Sequence, residues 1–195
     1  MRSFKDIVAE MQRHNMPLPQ KQVQIRLPDA AQILQEALSF FLQKDGLNLQ
    51  WLPEYDQIAQ WLSANDGRGL FLFGNCGRGK SLLCRYVLPA ILLGYCRRVV
   101  SVFDTAEMNR QIDHVLSRHI ISLDDVGTED ISNVYGNKRL AFAEVMDAVE
   151  KNNKLIIISS NLSVNDIRQR YGERVLDRIK ATTKRVLFEG ESLRK

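Results

Sequence analysis

The stretch from Gly74 to Ser81, which reads GNCGRGKS, constrains this chain more than any other feature. It follows the short apolar run 70–73 and precedes a stretch of helical character at 80–88, so its glycines join a predicted strand to a predicted helix. In that setting glycine lets backbone N–H groups turn toward one point, where the positive end of the following helix also lies. The pattern predicts a loop that binds phosphate groups.

The residue types in this loop fit G-x-x-x-x-G-K-[ST], which is typical of nucleotide binding. Lys80 is expected to reach the β- and γ-phosphates, and the hydroxyl of Ser81 to coordinate Mg²⁺. A nucleotide with Mg²⁺ is therefore the predicted ligand of the loop. Cys76 is interpreted as a small residue tolerated at a variable position. The expected nucleotide-binding residues are Gly74, Asn75, Cys76, Gly77, Arg78, Gly79, Lys80 and Ser81.

Around the loop, short apolar runs alternate with stretches of helical character. The apolar runs are 70–73, 99–103, 120–123 and 155–158, and the helical stretches between them are 80–88, 105–118 and 138–151. Strands that are apolar throughout are typical of a parallel sheet buried on both faces. The predicted fold class is therefore α/β, with a parallel sheet flanked by helices.

The chain before the loop has a different, helical pattern. Apolar residues recur at helical spacing in residues 1–14 and again in 30–43, and prolines separate the two stretches. We expect residues 1–45 to be a helical N-terminal extension that could dock a partner, and residues 46–195 to be the nucleotide-binding core. Packing of these helices onto the core explains their apolar faces equally well.

Composition and charge narrow the class of protein further. Hydrophobic residues make up 45% of the chain, which is typical of a globular fold, and no apolar run reaches the about 18 residues of a membrane span. The three cysteines form no CxxC pair, so neither a disulfide framework nor a zinc site is expected. These features predict a cytoplasmic protein without a membrane segment.

The net charge of +4 comes from the C-terminal part of the chain. Residues 162–195 hold nine Lys or Arg against five Asp or Glu, and the remainder of the chain is balanced. A basic tail of this kind could bind a polyanion such as single-stranded DNA. A solvated helix face explains it equally well.

Two acids follow the third apolar run directly, in the stretch ISLDDVG. Ligands of parallel sheets bind at the carboxyl ends of the strands, so Asp124 and Asp125 should lie beside the phosphate loop. Asp124 is expected to hold Mg²⁺ through water, and Asp125 to orient or deprotonate the attacking water. Many ATPases have Glu at the second position. Because Asp is one methylene shorter, the water must sit closer or hydrolysis is slow.

Polar and basic residues complete the candidate site. Asn161 ends the fourth run, where its amide could contact the γ-phosphate or the attacking water, although Asn is also frequent in turns after strands. Arginines at 174, 178 and 194 follow later in the chain. In ATPases an arginine supplied by a neighbouring subunit can stabilise the transition state.

The ordered set GNCGRGKS, LDDVG, SSN, GERVLDR and GESLR resembles the AAA+ ATPases of the DnaC/DnaI helicase-loader and IstB transposition-helper group, over about residues 50–195. The resemblance implies Walker A residues Lys80 and Ser81, Walker B residues Asp124 and Asp125, and a sensor 1 residue, Asn161. It implies Arg178 as arginine finger, Arg174 as second candidate for that role, and Arg194 as sensor 2 arginine.

The resemblance also implies an AAA+ core without a separate lid domain, oligomers with ATP at the subunit interfaces, and a partner such as the replicative helicase. Two features depart from the family. The extension before the core is short, and only 14 residues, 105–118, occupy a region that in the family holds helices contacting single-stranded DNA. The basic tail is then the main candidate for a DNA contact.

Other functions remain open at this point. A helper of DNA transposition would share every feature of the core. A small-molecule P-loop kinase suits the length but needs neither the paired acids nor the later arginine motifs. A GTPase fits less well, because Asn137-Lys138 lacks the closing Asp of NKxD. A module that binds ATP as a switch without hydrolysing it is the last alternative.

Overall fold

A computed structural model describes residues 2–18, 20–129, 132–134 and 137–193 of the chain, with side chains left out of account at 132–134 and 137–139. Three helices come first: α1 (Phe4–Arg13), α2 (Ala30–Gln43) and α3 (Pro53–Ser63). In chain order the elements that follow are β1 (Gly69–Gly74), α4 (Lys80–Leu82), a π-helical segment (Leu83–Val87), α5 (Leu88–Cys96), β2 (Ser101–Asp104), α6 (Thr105–Arg110), α7 (Ile112–Ser117), β3 (Ile120–Val126), β4 (Ser132–Val134), β5 (Asn137–Arg139), α8 (Ala141–Lys151), β6 (Leu155–Ser160), α9 (Val164–Tyr171), α10 (Glu173–Thr182) and β7 (Thr183–Phe188).

Five of the strands form one parallel sheet in the order β2-β3-β6-β1-β7. The strand that leads into the phosphate loop, β1, therefore lies inside the sheet between β6 and β7. The remaining two strands, β4 and β5, pair with each other in an antiparallel hairpin. The predicted parallel α/β sheet is confirmed.

The core lies on both faces of this sheet. Successive residues of β6 point to opposite faces, so Leu155 and Ile157 pack with α2, α3 and α5 while Ile156 and Ile158 pack with α6 to α10. All six residues of β6 are buried. The continuous apolar run that predicted a strand covered on both faces is explained by this position.

The segment that leads into α2 belongs to the same core. Val23, Ile25 and Leu27 alternate into it, and the side chain of Asn65 holds their backbone by accepting from Ile25 N–H at 2.7 Å and donating to Val23 O at 2.9 Å. Leu34 and Leu38 of α2 are fully buried in this cluster. The apolar face of α2 is thus covered by the chain's own core.

Helix α1 is packed differently. None of its ten residues, all of them in the described part of the chain, is buried, and Phe4 is 82% exposed. Phe4 and Val8 of its apolar stripe are exposed, whereas Ile7 and Met11 are partly buried. None of the described helices has the length and apolar character needed to cross a bilayer.

The structure differs from the sequence prediction at several elements. The helix expected at 138–151 begins at Ala141, after the β5 strand, and the helix expected at 105–118 is broken at Gln111 into α6 and α7. Strand β7 was not predicted. It lies at the edge of the sheet, where Arg185 and Leu187 are exposed, so its sequence alternates and does not form an apolar run.

Candidate nucleotide-binding site

The phosphate loop joins β1 to α4 at the carboxyl edge of the sheet. Gly79 adopts a left-handed conformation, φ 85°, and caps the N-terminus of α4, so the helix begins at Lys80. The acids at the end of β3 and Asn161 after β6 lie at the same edge, because β3, β6 and β1 are parallel neighbours. The topology therefore brings the predicted Walker A, Walker B and sensor 1 residues together.

The chain that follows β7 packs against the loop. Asn75 N–H donates to Phe188 O at 2.8 Å and its side-chain amide donates to Gly190 O at 2.9 Å, while Leu193 N–H donates to Gly77 O at 3.0 Å. A Cβ at Gly77, which has φ 74°, would collide with Ser192 Oγ. Residues 188–193 thus support the outer side of the loop.

Lys80 is folded back into the loop. Its side chain is 5% exposed, and Nζ donates to Gly74 O at 3.0 Å and to Asn75 O at 2.7 Å. Burial lowers the pKa of this ammonium, and the nearby Cys76, Asp125, Cys84 and Asp124 partly oppose that shift. A buried ammonium held only by neutral carbonyls is well suited to take up an anion, since charged partners make the stronger hydrogen bonds.

The two acids of β3 differ in their surroundings. The Asp124 side chain is 5% exposed, accepts from Ser159 Oγ at 2.5 Å and lies 3.4 Å from the guanidinium of Arg85. Ser159 Oγ in turn accepts from the backbone N–H of Asp125 at 2.8 Å. One serine on β6 therefore orients both acids.

A bulge directs Asp125 away from the strand. The β3–β6 register shifts between Leu123 and Val126, and Asp125 has φ 61°, which is uncommon for a residue other than glycine. Its carboxylate accepts from the side-chain amide of Asn161 at 2.8 Å. The predicted catalytic acid and the predicted sensor residue are thus in direct contact.

A buried ion pair links the loop to α3. Arg78 Nη2 lies 2.9 Å from Glu54 Oε1, with the two side chains 11% and 7% exposed. Arg78 Nη1 also donates to Glu191 O at 3.4 Å, whereas its buried Nε has no hydrogen-bond partner among the described residues. Burial and the Glu54 charge raise the pKa of the neighbouring Tyr55 to about 12.

The predicted arginine finger has partners within its own chain. Arg178 on α10 is 12% exposed and forms ion pairs with Asp147 and with Glu150, the latter at 2.8 Å. Arg174 is 78% exposed and lies 3.7 Å from Asp147. Both partners belong to α8, and no described contact joins either arginine to the phosphate loop. Arg194 lies outside the described residues.

Most of the basic tail is neutralised in the structure. Of the seven described Lys or Arg residues in 162–193, five pair with carboxylates: Arg168, Arg170, Arg174, Arg178 and Lys184. Arg168, for example, lies 2.6 Å from Glu173, and Lys184 lies 2.9 Å from Asp66. Among the described cations of the tail, only Lys180 and Arg185 therefore keep a charge without a carboxylate partner.

Sequence reasoning missed three residues of the site: Ser159, Arg85 and Glu54. Ser159 carries a usable signal, because it precedes Asn161 on a strand that ends beside the acids. Arg85 lies about one helical turn after Ser81, so helical spacing could have predicted that it faces the same site. Glu54 carries no local signal, since its partner Arg78 is 24 residues away.

Fold and site together define a P-loop NTPase of the AAA+ type. Residues 52–195 match the family described as novel STAND NTPase 3, and the chain belongs to this family. No curated protein matches the chain in sequence at a significant level.

Solved structures share the fold. A DnaC helicase loader aligns with a TM-score of 0.58 and 21% identity, over 72% of this chain and 93% of that one. DnaI aligns with a TM-score of 0.51 and 20% identity, over 65% and 73%. AMPPCP-bound DnaA from Aquifex aeolicus aligns at 0.52 and 19%, over 74% of this chain and 49% of that one. The resemblance to the AAA+ proteins of the helicase-loader group is confirmed in the fold.

Proposed function

We propose that this protein binds and hydrolyses ATP with Mg²⁺, and that its ATP state controls assembly with, or remodelling of, a DNA-bound protein such as a replicative helicase. The observation that carries the ATPase proposal is the contact between Asp125 and Asn161 at the edge where the phosphate loop lies. A loop alone supports nucleotide binding, whereas an acid held beside it supports hydrolysis. The fold shared with DnaC and DnaI supports the choice of partner class.

Nucleotide binding rests on the loop and on Lys80. The backbone N–H groups of 76–81 are expected to surround the phosphates, and Lys80 Nζ exchanges the carbonyls of Gly74 and Asn75 for phosphate oxygens. This exchange is favourable because it gives a buried ammonium a charged partner. The segment 188–193 keeps the loop in shape.

The residues at the predicted metal site fit Mg²⁺. Ser81 offers a hydroxyl and Asp124 a buried carboxylate, and hard oxygen donors of this kind, completed by water and phosphate, are what Mg²⁺ prefers. When bound, the ion neutralises charge on the phosphates. Ser159 fixes the Asp124 carboxylate through its 2.5 Å hydrogen bond, so the acid is held in place before nucleotide arrives.

Asp125 is the proposed general base. Its carboxylate orients the attacking water and accepts its proton, while Asn161 holds the carboxylate by donating to Oδ1. The Asp125 side chain is short, so its carboxylate must lie close to the attacking water. We infer that the bulge and the positive φ of this residue serve that purpose. We expect slow basal turnover that rises when a partner or DNA closes the site.

We further propose oligomers with ATP at the interface between copies, where Arg178 of one copy serves the nucleotide of the next and Arg194 acts as the sensor 2 arginine. For Arg178 this role requires opening its ion pairs with Asp147 and Glu150. Residues 1–45 form the proposed extension and 46–195 the ATPase core. Because residues 23–43 of the extension pack into the core, the proposed docking role in a cytoplasmic protein falls to α1, where Phe4 and Val8 are exposed.

Phosphate release from ATP tests the proposal. Wild type, Lys80→Ala and Asp125→Asn should be compared with and without a single-stranded oligonucleotide, and Lys44→Ala serves as an exposed control far from the loop in sequence. We expect turnover by wild type and Lys44→Ala, no nucleotide binding by Lys80→Ala, and binding without turnover by Asp125→Asn. Normal hydrolysis in Asp125→Asn would overturn the assignment of the base.

A further inference from the structure

The edge of the sheet opposite the nucleotide site carries a set of cations. At this edge the strands begin, and the residues just before β2, β3 and β6 are basic. We call Arg97, Arg98, Arg118 and Lys154 the basic edge. These residues are spread over three loops, so no local sequence pattern marks them.

A contact joins two members of the basic edge, Lys154 and Arg118, and His119 links them to Arg98. Lys154 Nζ donates to Arg118 O at 2.7 Å and to Leu116 O at 2.9 Å. His119 lies among them, since its backbone carbonyl accepts from Leu155 N–H at 3.1 Å. Burial lowers the pKa of His119, and the positive charges of Lys154 and Arg98 lower it further.

The cations of the basic edge have no carboxylate partners within the described part of the chain. The three arginines are exposed, and Lys154 is half-buried with its ammonium turned to backbone carbonyls. This contrasts with the basic tail, where five of the seven described cations are paired with acids. Among the described residues, four cations of the basic edge and two of the tail, Lys180 and Arg185, therefore lack a carboxylate partner.

The shape of the basic edge suits a strand of phosphates. Because β2, β3 and β6 are successive neighbours at about 4.8 Å spacing, the residues before them form a row about 10 Å long. Guanidinium groups bind phosphate oxygens in pairs, which favours arginine over lysine at such sites. Lys21 extends the row, since the preceding Gln20 O accepts from Asn153 Nδ2 at 2.6 Å.

An exposed aromatic residue lies close to Arg97 and Arg98 in the chain. Tyr95, at the end of α5 and just before Arg97, is 57% exposed. Aromatic rings beside a cationic track are typical of surfaces that bind single strands, because unpaired bases stack on them.

We propose that the basic edge binds the backbone of a single-stranded nucleic acid, with Tyr95 as a stacking platform. This inference deepens the DNA-linked role proposed above by naming the surface, but it does not depend on ATP hydrolysis. The nucleotide site and the basic edge lie at opposite ends of the strands, so nucleic acid and ATP bind without competing for the same residues.

Fluorescence anisotropy with a labelled single-stranded oligonucleotide tests this proposal on the full chain at several salt concentrations. We expect Arg98→Ala/Arg118→Ala to weaken binding about tenfold or more and to reduce the slope of log K against log salt by about 2. The matched control Arg168→Ala/Arg185→Ala removes the same charge from the tail and should change affinity less than twofold. An equal loss in both double variants would overturn the proposal.

Two further readouts separate a specific surface from general charge. Tyr95→Ala should weaken binding of the single strand while Tyr95→Phe retains it, and duplex DNA should be insensitive to both changes. Bound phosphates offset Lys154 and Arg98, so NMR titration should show a higher pKa of His119 in the complex. Oligonucleotide binding that the edge variants leave unchanged, or an unchanged His119 titration in the complex, would contradict the assignment.

The alternative occupant and the proposed function are tested in parallel. Vesicles containing anionic lipid should bind no better than neutral ones; edge-dependent vesicle binding without oligonucleotide binding would overturn the proposal. Lys80→Ala should bind the oligonucleotide like wild type, and Arg98→Ala/Arg118→Ala should keep the wild-type ATPase rate without DNA. Failure of the ATPase proposal is thereby distinguished from failure of the nucleic-acid surface.

Discussion

Arg78 of the phosphate loop and Glu54 of α3 form a buried ion pair, with Nη2 and Oε1 2.9 Å apart. The pair fastens the loop to the helix that lies before the sheet, and Arg78 Nη1 extends the connection to Glu191 O on the other side. The loop is therefore held by α3, which precedes it in the chain, and by the segment that follows β7. Buried ion pairs are costly to break on one side, because the remaining charge stays desolvated.

Glu54→Ala should destabilise the fold by about 3–5 kcal/mol, because it strands the Arg78 guanidinium. Replacing both partners, as Glu54→Leu/Arg78→Met, should restore most of the stability, since no uncompensated charge remains. Chemical denaturation monitored by circular dichroism measures both changes. A double variant as unstable as Glu54→Ala would show that packing, and not the charge pair, sets the loss.

Gly77→Ala should weaken ATP binding strongly, because the residue has φ 74° and its Cβ would strike Ser192 Oγ. Gly94→Ala is the matched control, since a Cβ there meets no atom within 4 Å inside α5 and alanine favours helix by about 1 kcal/mol. Calorimetric titration with a non-hydrolysable ATP analogue gives both affinities. Wild-type affinity in Gly77→Ala would mean that Ser192 moves aside without consequence for the loop.

Asn161→Ala should lower turnover while leaving ATP affinity within a few fold. The amide holds Asp125 Oδ1 at 2.8 Å, and a positioned base contributes about 10²–10⁴ to the rate. Single-turnover phosphate release beside equilibrium binding separates the two effects. Asn161→Asp, which cannot donate the same hydrogen bond, should behave like the alanine variant, and full activity in it would contradict a positioning role.

Acidification should destabilise the protein through His119. Burial, Lys154 and Arg98 lower its pKa in the folded state, so the unfolded state binds the proton more tightly. Stability from this group is present above the ordinary pKa of about 6.5 and is lost as pH falls through the folded pKa. Urea unfolding between pH 5 and 8 should show a flatter profile in His119→Gln, whereas His14→Gln, exposed after α1, should follow wild type.

Mixing inactive variants tests the arginine finger. Arg178→Ala protein has an intact loop and Lys80→Ala protein an intact arginine, so interfaces between the two should recover ATPase activity. Arg174→Ala in place of Arg178→Ala checks the more exposed arginine. Absence of recovery at every mixing ratio would count against Arg178 acting between copies and favour its role as a partner of Asp147 and Glu150.

The parts of the site that the sequence predicts are those with a local pattern. Lys80 follows a glycine loop, and Asp124 and Asp125 end an apolar run, so spacing alone places them at one edge of a parallel sheet. Glu54 and Ser192 act on the loop from far along the chain, and no periodicity marks them. Such contacts arise from the tertiary fold.

The same distinction explains the basic residues. Counting charge by segment assigns the surplus to the tail, but ion pairs form between helices, as Arg178 does with Glu150 on α8. The basic edge gathers Arg98, Arg118 and Lys154 from three loops that only sheet order makes adjacent. Segment composition therefore cannot tell which cations keep a carboxylate partner in the folded chain.

The support given to the phosphate loop by residues 188–193 has a consequence for synthesis of the chain. The side chain of Asn75 donates to the carbonyl of Gly190, which lies 115 positions later in the chain. Strand β1 lies between β6 and β7 and therefore lacks one of its two neighbours until β7 has been synthesised. Contacts of such long range form late, because a large loop must close first. A nascent chain on the ribosome would thus carry the whole GNCGRGKS motif before the loop has its support, and ATP would stabilise the chain only once residues 188–193 have emerged and folded.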